Sequence, residues 1–157
     1  MKIGIDPGIS GAVAFLEDDL SFIRVVDIPV MTLTGKKQQV NAPELGKLFR
    51  VFLFDVPAEN TTAYLERVSA MPGQGVTGMF NFGTGYGVIQ GVLGALQIPM
   101  MLVSPRQWKH RAGLIGKDKD ACRTLMQQLY PAAPLGRKKD IGRADAIAIA
   151  LYGSLDK

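Results

Sequence analysis

Three acidic residues stand where acids are costly. Asp6 closes the apolar stretch from Lys2 to Ile5 and runs straight into Pro7-Gly8; Glu66 lies inside the run AYLERV; Asp145 interrupts the alanine- and isoleucine-rich segment GRADAIAIALYG. Burying a lone carboxylate costs several kcal/mol unless a cation, a metal or hydrogen-bond donors meet it. Each acid has a plain explanation when taken alone. Asp is favoured where a Pro-Gly turn begins, although a phosphate-cradling loop or a metal ligand fits the same place. Alternation along AYLERV sets Glu66 on the face of Tyr64 and Val68, with Arg67 opposite, so its partner is an ion pair or a metal. Asp145 gains from the dipole of a helix that begins near it. Acids in a first strand, a middle strand and a last helix also match the oxygen ligands that hard divalent cations take.

Other reactive side chains are few. Cys122 is the single cysteine and sits in an apolar helical pattern, so it reads as a buried structural thiol. His110, the one histidine, has no paired metal-ligand spacing around it and reads as a surface residue or a DNA contact. Charge is uneven: residues 1–100 carry a net −2 and residues 101–157 a net +6, within a total of +4. A basic second half suits nucleic acid as partner, the alternative being an ordinary soluble surface.

The elements that must position these groups follow from periodicity and turn residues. Strands are expected at about Lys2 to Ile5, Ser10 to Leu16 and Phe22 to Ile28, then a polar loop, MTLTGKKQQVNAP, and a helix from Pro43 to Phe54. A strand at Ala63 to Val68, a glycine-rich helix from Val76 to Gln97 and a strand at Met100 to Val103 come next, with helices near Lys117 to Leu129 and Arg143 to Leu155. That order predicts an α/β fold, a mixed sheet of about five strands with helices on both faces, in a single domain over residues 1–157. An actin-like ATPase needs two such domains, which removes most of the weight from the phosphate-loop reading of Asp6. No secretory leader and no apolar run of the ~18 residues needed to span a bilayer is read, so a soluble cytoplasmic protein without a membrane partner is expected.

Four blocks in order, IGIDPGISGAVA, YLERVSAMPGQGVTGMFNFGTGYG, VSPRQWK and KKDIGRADAIAIALYG, resemble the RuvC-type Holliday junction resolvases of the RNase H-like, retroviral-integrase superfamily, particularly the short form of bacteriophages. The resemblance implies a homodimeric, metal-dependent endonuclease acting on branched DNA in the cytoplasm of a bacterial host. It implies Mg2+ as cofactor, with Mn2+ able to substitute, and Asp6, Glu66 and Asp145 as ligands. Lys109 and Lys117, in WKHRAGLIGK, resemble the family's basic loop and are the candidates to steady charge on a phosphate, the alternative being solvated loop lysines.

Two positions depart from the family's pattern. Ser69 stands where cellular enzymes carry a stacking aromatic, leaving Met71 or Phe80 as substitute wedges. Gly142 stands where they carry an acid or histidine, leaving Asp140 as the substitute ligand, folded back toward Asp145 by a bend at Gly142 just before the helix; the alternative for Asp140 is a helix cap or an ion pair with Lys138 or Lys139. The remaining DNA contacts are expected from Lys36, Lys37, Arg106, Lys109, His110, Arg111, Lys138, Lys139 and Arg143. Gly83, Gly87, Gly91 and Gly94 fall on one helical stripe, which suits close approach either to the protein's own sheet or to a second copy.

Overall fold

The computed structural model describes residues 1–70, 73 and 75–155. Strands β1 (Lys2–Asp6), β2 (Ala12–Leu16) and β3 (Phe22–Asp27) lead into a hairpin, β4 (Val30–Thr32) and β5 (Gln38–Val40). Helix α1 (Ala42–Phe52), β6 (Thr62–Glu66), α2 (Val76–Ala95) and β7 (Met100–Val103) alternate, and α3 (Pro105–Arg111), α4 (Ala121–Leu129) and α5 (Ile141–Gly153) close the chain. The main sheet has the order β3-β2-β1-β6-β7. β1 runs antiparallel to β2 and parallel to β6, and β6 runs parallel to β7. This is the mixed α/β sheet expected, and the period of two explains how its faces divide.

Ile3, Ile5, Val13, Phe15, Ala63 and Leu65 point to one side, where they pack with Leu45 and Phe49 of α1 and Ile89 and Leu93 of α2. The alternate residues face α5. There they are small: Ala12 and Ala14 join Ala144, Ala146, Ile147 and Ala148 in the second core, together with Trp108 of α3 and Met126 of α4. Gly4 completes that face. A Cβ on it would lie 2.0 Å from the Ala146 carbonyl oxygen and 2.4 Å from the Ala150 nitrogen, so the alanine-rich helix rests directly on the β1 backbone. Large side chains on one face and small ones on the other therefore set α1 and α2 at a distance and draw α5 in.

Four elements differ from the reading by periodicity. The polar stretch after β3 folds into the β4–β5 hairpin, turning through Gly35 at φ +76°. VSPRQWK contains α3, whose first turn Ser104 caps by accepting from the Gln107 N–H at 3.2 Å, with Pro105 as its first residue. α4 begins at Ala121 rather than Lys117, because Asp118 binds the Asp120 N–H at 2.8 Å and holds a turn before it. α5 begins at Ile141, two residues early, so Asp145 is its fifth residue rather than part of its first turn, and Gly142 is helical rather than a bend. Among the described residues, no helix is long and apolar enough to cross a membrane.

Candidate functional site

Asp6 and Glu66 end neighbouring parallel strands, and the period that sends Ile5 and Leu65 to the α1/α2 face sends both acids to the α5 face. Asp145 projects from α5 on that side. The three carboxylates interact by charge. Burial, then Asp145, then Glu66 hold Asp6 well above the usual carboxylate range, against the opposing pull of Lys109. Burial also raises Glu66 and Asp145, again with Lys109 acting the other way. Lys109 is thus the cation the fold sets beside all three, and its Nζ lies 5.1 Å from the centre of the Trp108 ring.

Each acid is held by a group whose role the sequence reading did not foresee. Trp108, fully buried, donates its indole N–H to Glu66 Oε1 at 2.9 Å, a neutral partner that stands beside the ion-pair and metal readings of this glutamate. The visible signal was a lone tryptophan inside the basic stretch PRQWKHR. The Cys122 thiol donates to Asp145 and is pushed far up by burial and by that carboxylate, which keeps it protonated and inert as expected. Gly142 lies against Asp6: a Cβ there would stand 2.4 Å from the Ser10 carbonyl oxygen and 3.1 Å from Asp6 Oδ2. The β1–β2 turn keeps Asp6 at this place through Gly8, at φ +120°, whose carbonyl accepts from the Gly11 N–H at 3.1 Å.

Asp140 is not brought to this group. Arg137 donates its backbone N–H to Oδ2 at 2.8 Å and its guanidinium to Oδ1 at 2.7 Å, and Asp140 is held below the usual range mainly by that arginine. The structure gives it the ion-pair role, with Arg137 as partner instead of Lys138 or Lys139. Arg143 is likewise engaged, gripping Asp27 through Nε at 2.6 Å and Nη2 at 2.8 Å, and Arg111 donates to the Tyr152 carbonyl at 2.7 Å.

Lys117 lines a hollow with Lys109 and Asp145, and Lys139 lines another with Asp6. Lys37, Arg106, His110, Lys138 and Phe80 are at least partly exposed. Met71 and the side chain of Lys36 lie outside the described residues.

Three carboxylates and no imidazole form an all-oxygen donor set; burial first, and for Asp6 and Glu66 the neighbouring acids after it, raise their proton affinities, and Lys109 opposes all three shifts. That set fits a hard divalent cation in kind. Among the described residues no three His, Cys, Asp or Glu side chains are already gathered as a coordination shell. The acids share a face and a field without forming a closed cage.

The sheet order with α5 packed across it is a RuvC-like fold. Two solved structures share it: Thermus thermophilus RuvC in complex with a Holliday junction substrate, with TM-score 0.56, and the T. thermophilus RuvC structure, with TM-score 0.55. Each is 19% identical and matches over 96% of this chain and 90% of the other. No family model and no curated protein sequence matches this chain.

Proposed function

We propose that this chain is a metal-dependent, structure-selective endodeoxyribonuclease that resolves four-way Holliday junctions by paired phosphodiester hydrolysis. The observation that carries the reading is the charge-coupled group of Asp6, Glu66 and Asp145 with Lys109 beside it, on a fold shared with a protein solved on a Holliday junction. The three carboxylates would hold the ions, Mg2+ or in its place Mn2+. Bound there, two divalent ions would lower the pKa of an attacking water and stabilise the departing oxygen.

The chain's own residues do the rest. Trp108 holds the Glu66 carboxylate through Oε1, and Cys122 orients Asp145. Lys109 and Lys117 face charge developing on the phosphate. Lys37, Arg106, His110, Lys138 and Lys139 would contact the sugar-phosphate backbone, and exposed Phe80 is the described candidate for a wedge at the branch point.

Pairing of the two nicks follows from a two-fold dimer. Gly83, Gly87, Gly91 and Gly94 lie on α2, and a Cβ on any of them would meet nothing within 4 Å, so the stripe is not used against the chain's own sheet. A second copy is its proposed occupant. The blockwise resemblance supports a bacteriophage origin and a site of action in the host cytoplasm. A nicking assay with and without Mg2+ on junction, other branched, duplex and single-stranded DNA, and on RNA, tests the reading. Junction-selective, Mg2+-dependent cleavage is expected. Binding without cleavage makes the chain a junction-binding protein, and preference for another branched substrate or RNA reassigns the nuclease.

A further inference from the structure

The β4–β5 hairpin stands over the first half of α2 and closes a cleft of about 360 Å³ against the turn that carries Asp6. That volume is near the lower end of small-molecule sites, roughly 300 to 1,000 Å³. One wall is aromatic: Phe82 lies along the Pro7-Gly8 turn so closely that a Cβ on Gly8 would meet its ring at 3.3 Å. Gln38 shares the α2-facing side of β5 with Val40, so its side-chain amide and that of Asn81 are the polar groups offered to the cleft, with Lys37 beside them. Gly78 faces open space, a Cβ there finding nothing within 4 Å, and Gly85 brings α2 against Val40 of the hairpin.

Phe82 also lines the adjoining hollow that contains Asp6 and Lys139, so the cleft and the carboxylates share a wall. We propose that this cleft receives a single unpaired nucleobase of the DNA strand whose backbone passes Asp6, stacked on Phe82 and read at its edge by Asn81 and Gln38. The inference rests on the nuclease reading above and deepens it by placing base selectivity in the hairpin.

The chemistry favours a base over other ligands. An aromatic face accepts any base by stacking, and the cation at the rim meets a phosphate. Amides donate and accept together, which matches the edge of a base, whereas a wholly apolar ligand would bury them unpaired. Because base and scissile phosphate belong to one strand, occupancy of the cleft would fix which phosphate lies over the acids, and cleavage would depend on the base beside it.

The test uses the full chain in chelator with 5-iododeoxyuridine placed in turn at nucleotides around the branch point of a four-way junction, and also within a single-stranded oligonucleotide. Irradiation is expected to cross-link the iodinated base to Phe82, mapped by mass spectrometry, and Phe82→Leu is expected to abolish that adduct. In a second arm, with Mg2+, four junctions differing only in the base next to the cleaved bond are cut at different rates, and Asn81→Ala narrows their spread by about fivefold or more, the low end of what one amide–base pair contributes. Asn81 is exposed, so this variant keeps the native fold even if Phe82→Leu does not.

Adducts that map elsewhere while the junction is bound, or an unchanged spread in Asn81→Ala, overturn the cleft and leave the nuclease reading standing. Failure of the wild type to bind or cut junctions sinks the nuclease reading. The single-stranded arm then decides the cleft, with an adduct at Phe82 supporting it and none overturning it.

Discussion

Gly142 lies in the first turn of α5, where its lack of a side chain lets the helix approach the β1–β2 turn. A Cβ there would be 2.4 Å from the Ser10 carbonyl oxygen, 3.2 Å from Gly11 Cα and 3.1 Å from Asp6 Oδ2. The first contact is roughly 1 Å short of ordinary van der Waals separation and falls on backbone, which cannot rotate away. Overpacking of this kind costs about 1–3 kcal/mol, and a backbone clash belongs in the upper part of that range. Replacing a helical glycine returns up to about 1 kcal/mol, leaving a net loss of ~1–2 kcal/mol for Gly142→Ala. For a chain of this length that lowers the melting temperature by about 2–8 °C.

Gly46, inside α1, is the matched control. Its Cβ would meet only Val92 Cγ1 at 4.0 Å, an ordinary contact, so Gly46→Ala should raise the melting temperature by about 2–4 °C. The two variants share the propensity effect and differ in the close approach. Thermal unfolding by circular dichroism measures the difference, and single-turnover cleavage of a junction reads its consequence at Asp6. A displacement near 1 Å can cost about 100-fold in rate. A Gly142→Ala protein as stable as Gly46→Ala would mean that α5 does not rest on this turn as described.

In chelator, Asp6→Asn should stabilise the protein near neutral pH. The folded-state pKa of Asp6 is raised, so its contribution is fully present below the unfolded value and is lost as pH rises through the folded one. Asp27 and Asp140 are lowered and act oppositely, their contribution being lost as pH falls through their folded values. Melting curves of wild type and Asp6→Asn across acid to neutral pH should therefore differ in slope, and parallel curves would contradict the coupling. Asp140→Asn should lower stability and keep turnover; a rate loss of tenfold or more in a folded protein, about 1.4 kcal/mol in the barrier, would return Asp140 to the ligand set. Alanine at both Lys138 and Lys139 should reduce the log–log salt slope of junction binding by roughly 0.9 for each phosphate the protein no longer neutralises, measured by fluorescence anisotropy. Light scattering should give twice the chain mass for the wild type and the chain mass for Gly87→Leu; a monomeric wild type with and without junction rejects the dimer.

The parts of this fold that are legible in the sequence are those governed by short-range periodicity. Alternation in KIGID and TAYLE assigns Asp6 and Glu66 to one side of the sheet, because a strand has two faces and the apolar residues claim one of them. The alanine run of α5 announces a buried helix for the same kind of reason. The hairpin does not announce itself. Its strands, VMT and QQV, are three residues each and too short to show a period, so their pairing follows from the turn at Gly35 and from the seat that Gly85 offers Val40, a contact between residues 45 positions apart. Start and stop signals also mislead at α5, where Gly142 reads as a breaker; its neighbour in space, the Ser10 carbonyl, decides its role.

The same distinction runs through the candidate site. Residue type and strand phase identify the acids, but not what holds them, since the Trp108 indole is 42 positions from Glu66 and reaches it only because α3 folds back across the end of β6 and β7. Asp140 shows the same dependence on neighbours in space. KKDIGRAD places an acid five residues before Asp145, and a break in the helix would have let both face one ion. With α5 continuous from Ile141, Asp140 instead precedes the helix and turns to Arg137, while Gly142 occupies the position beside Asp6. A side chain at residue 142 would collide with the β1–β2 turn, so in this chain close packing of α5 excludes an acid or a histidine at that position. Three carboxylates with Lys109 among them follow from a helix that sits this near the sheet.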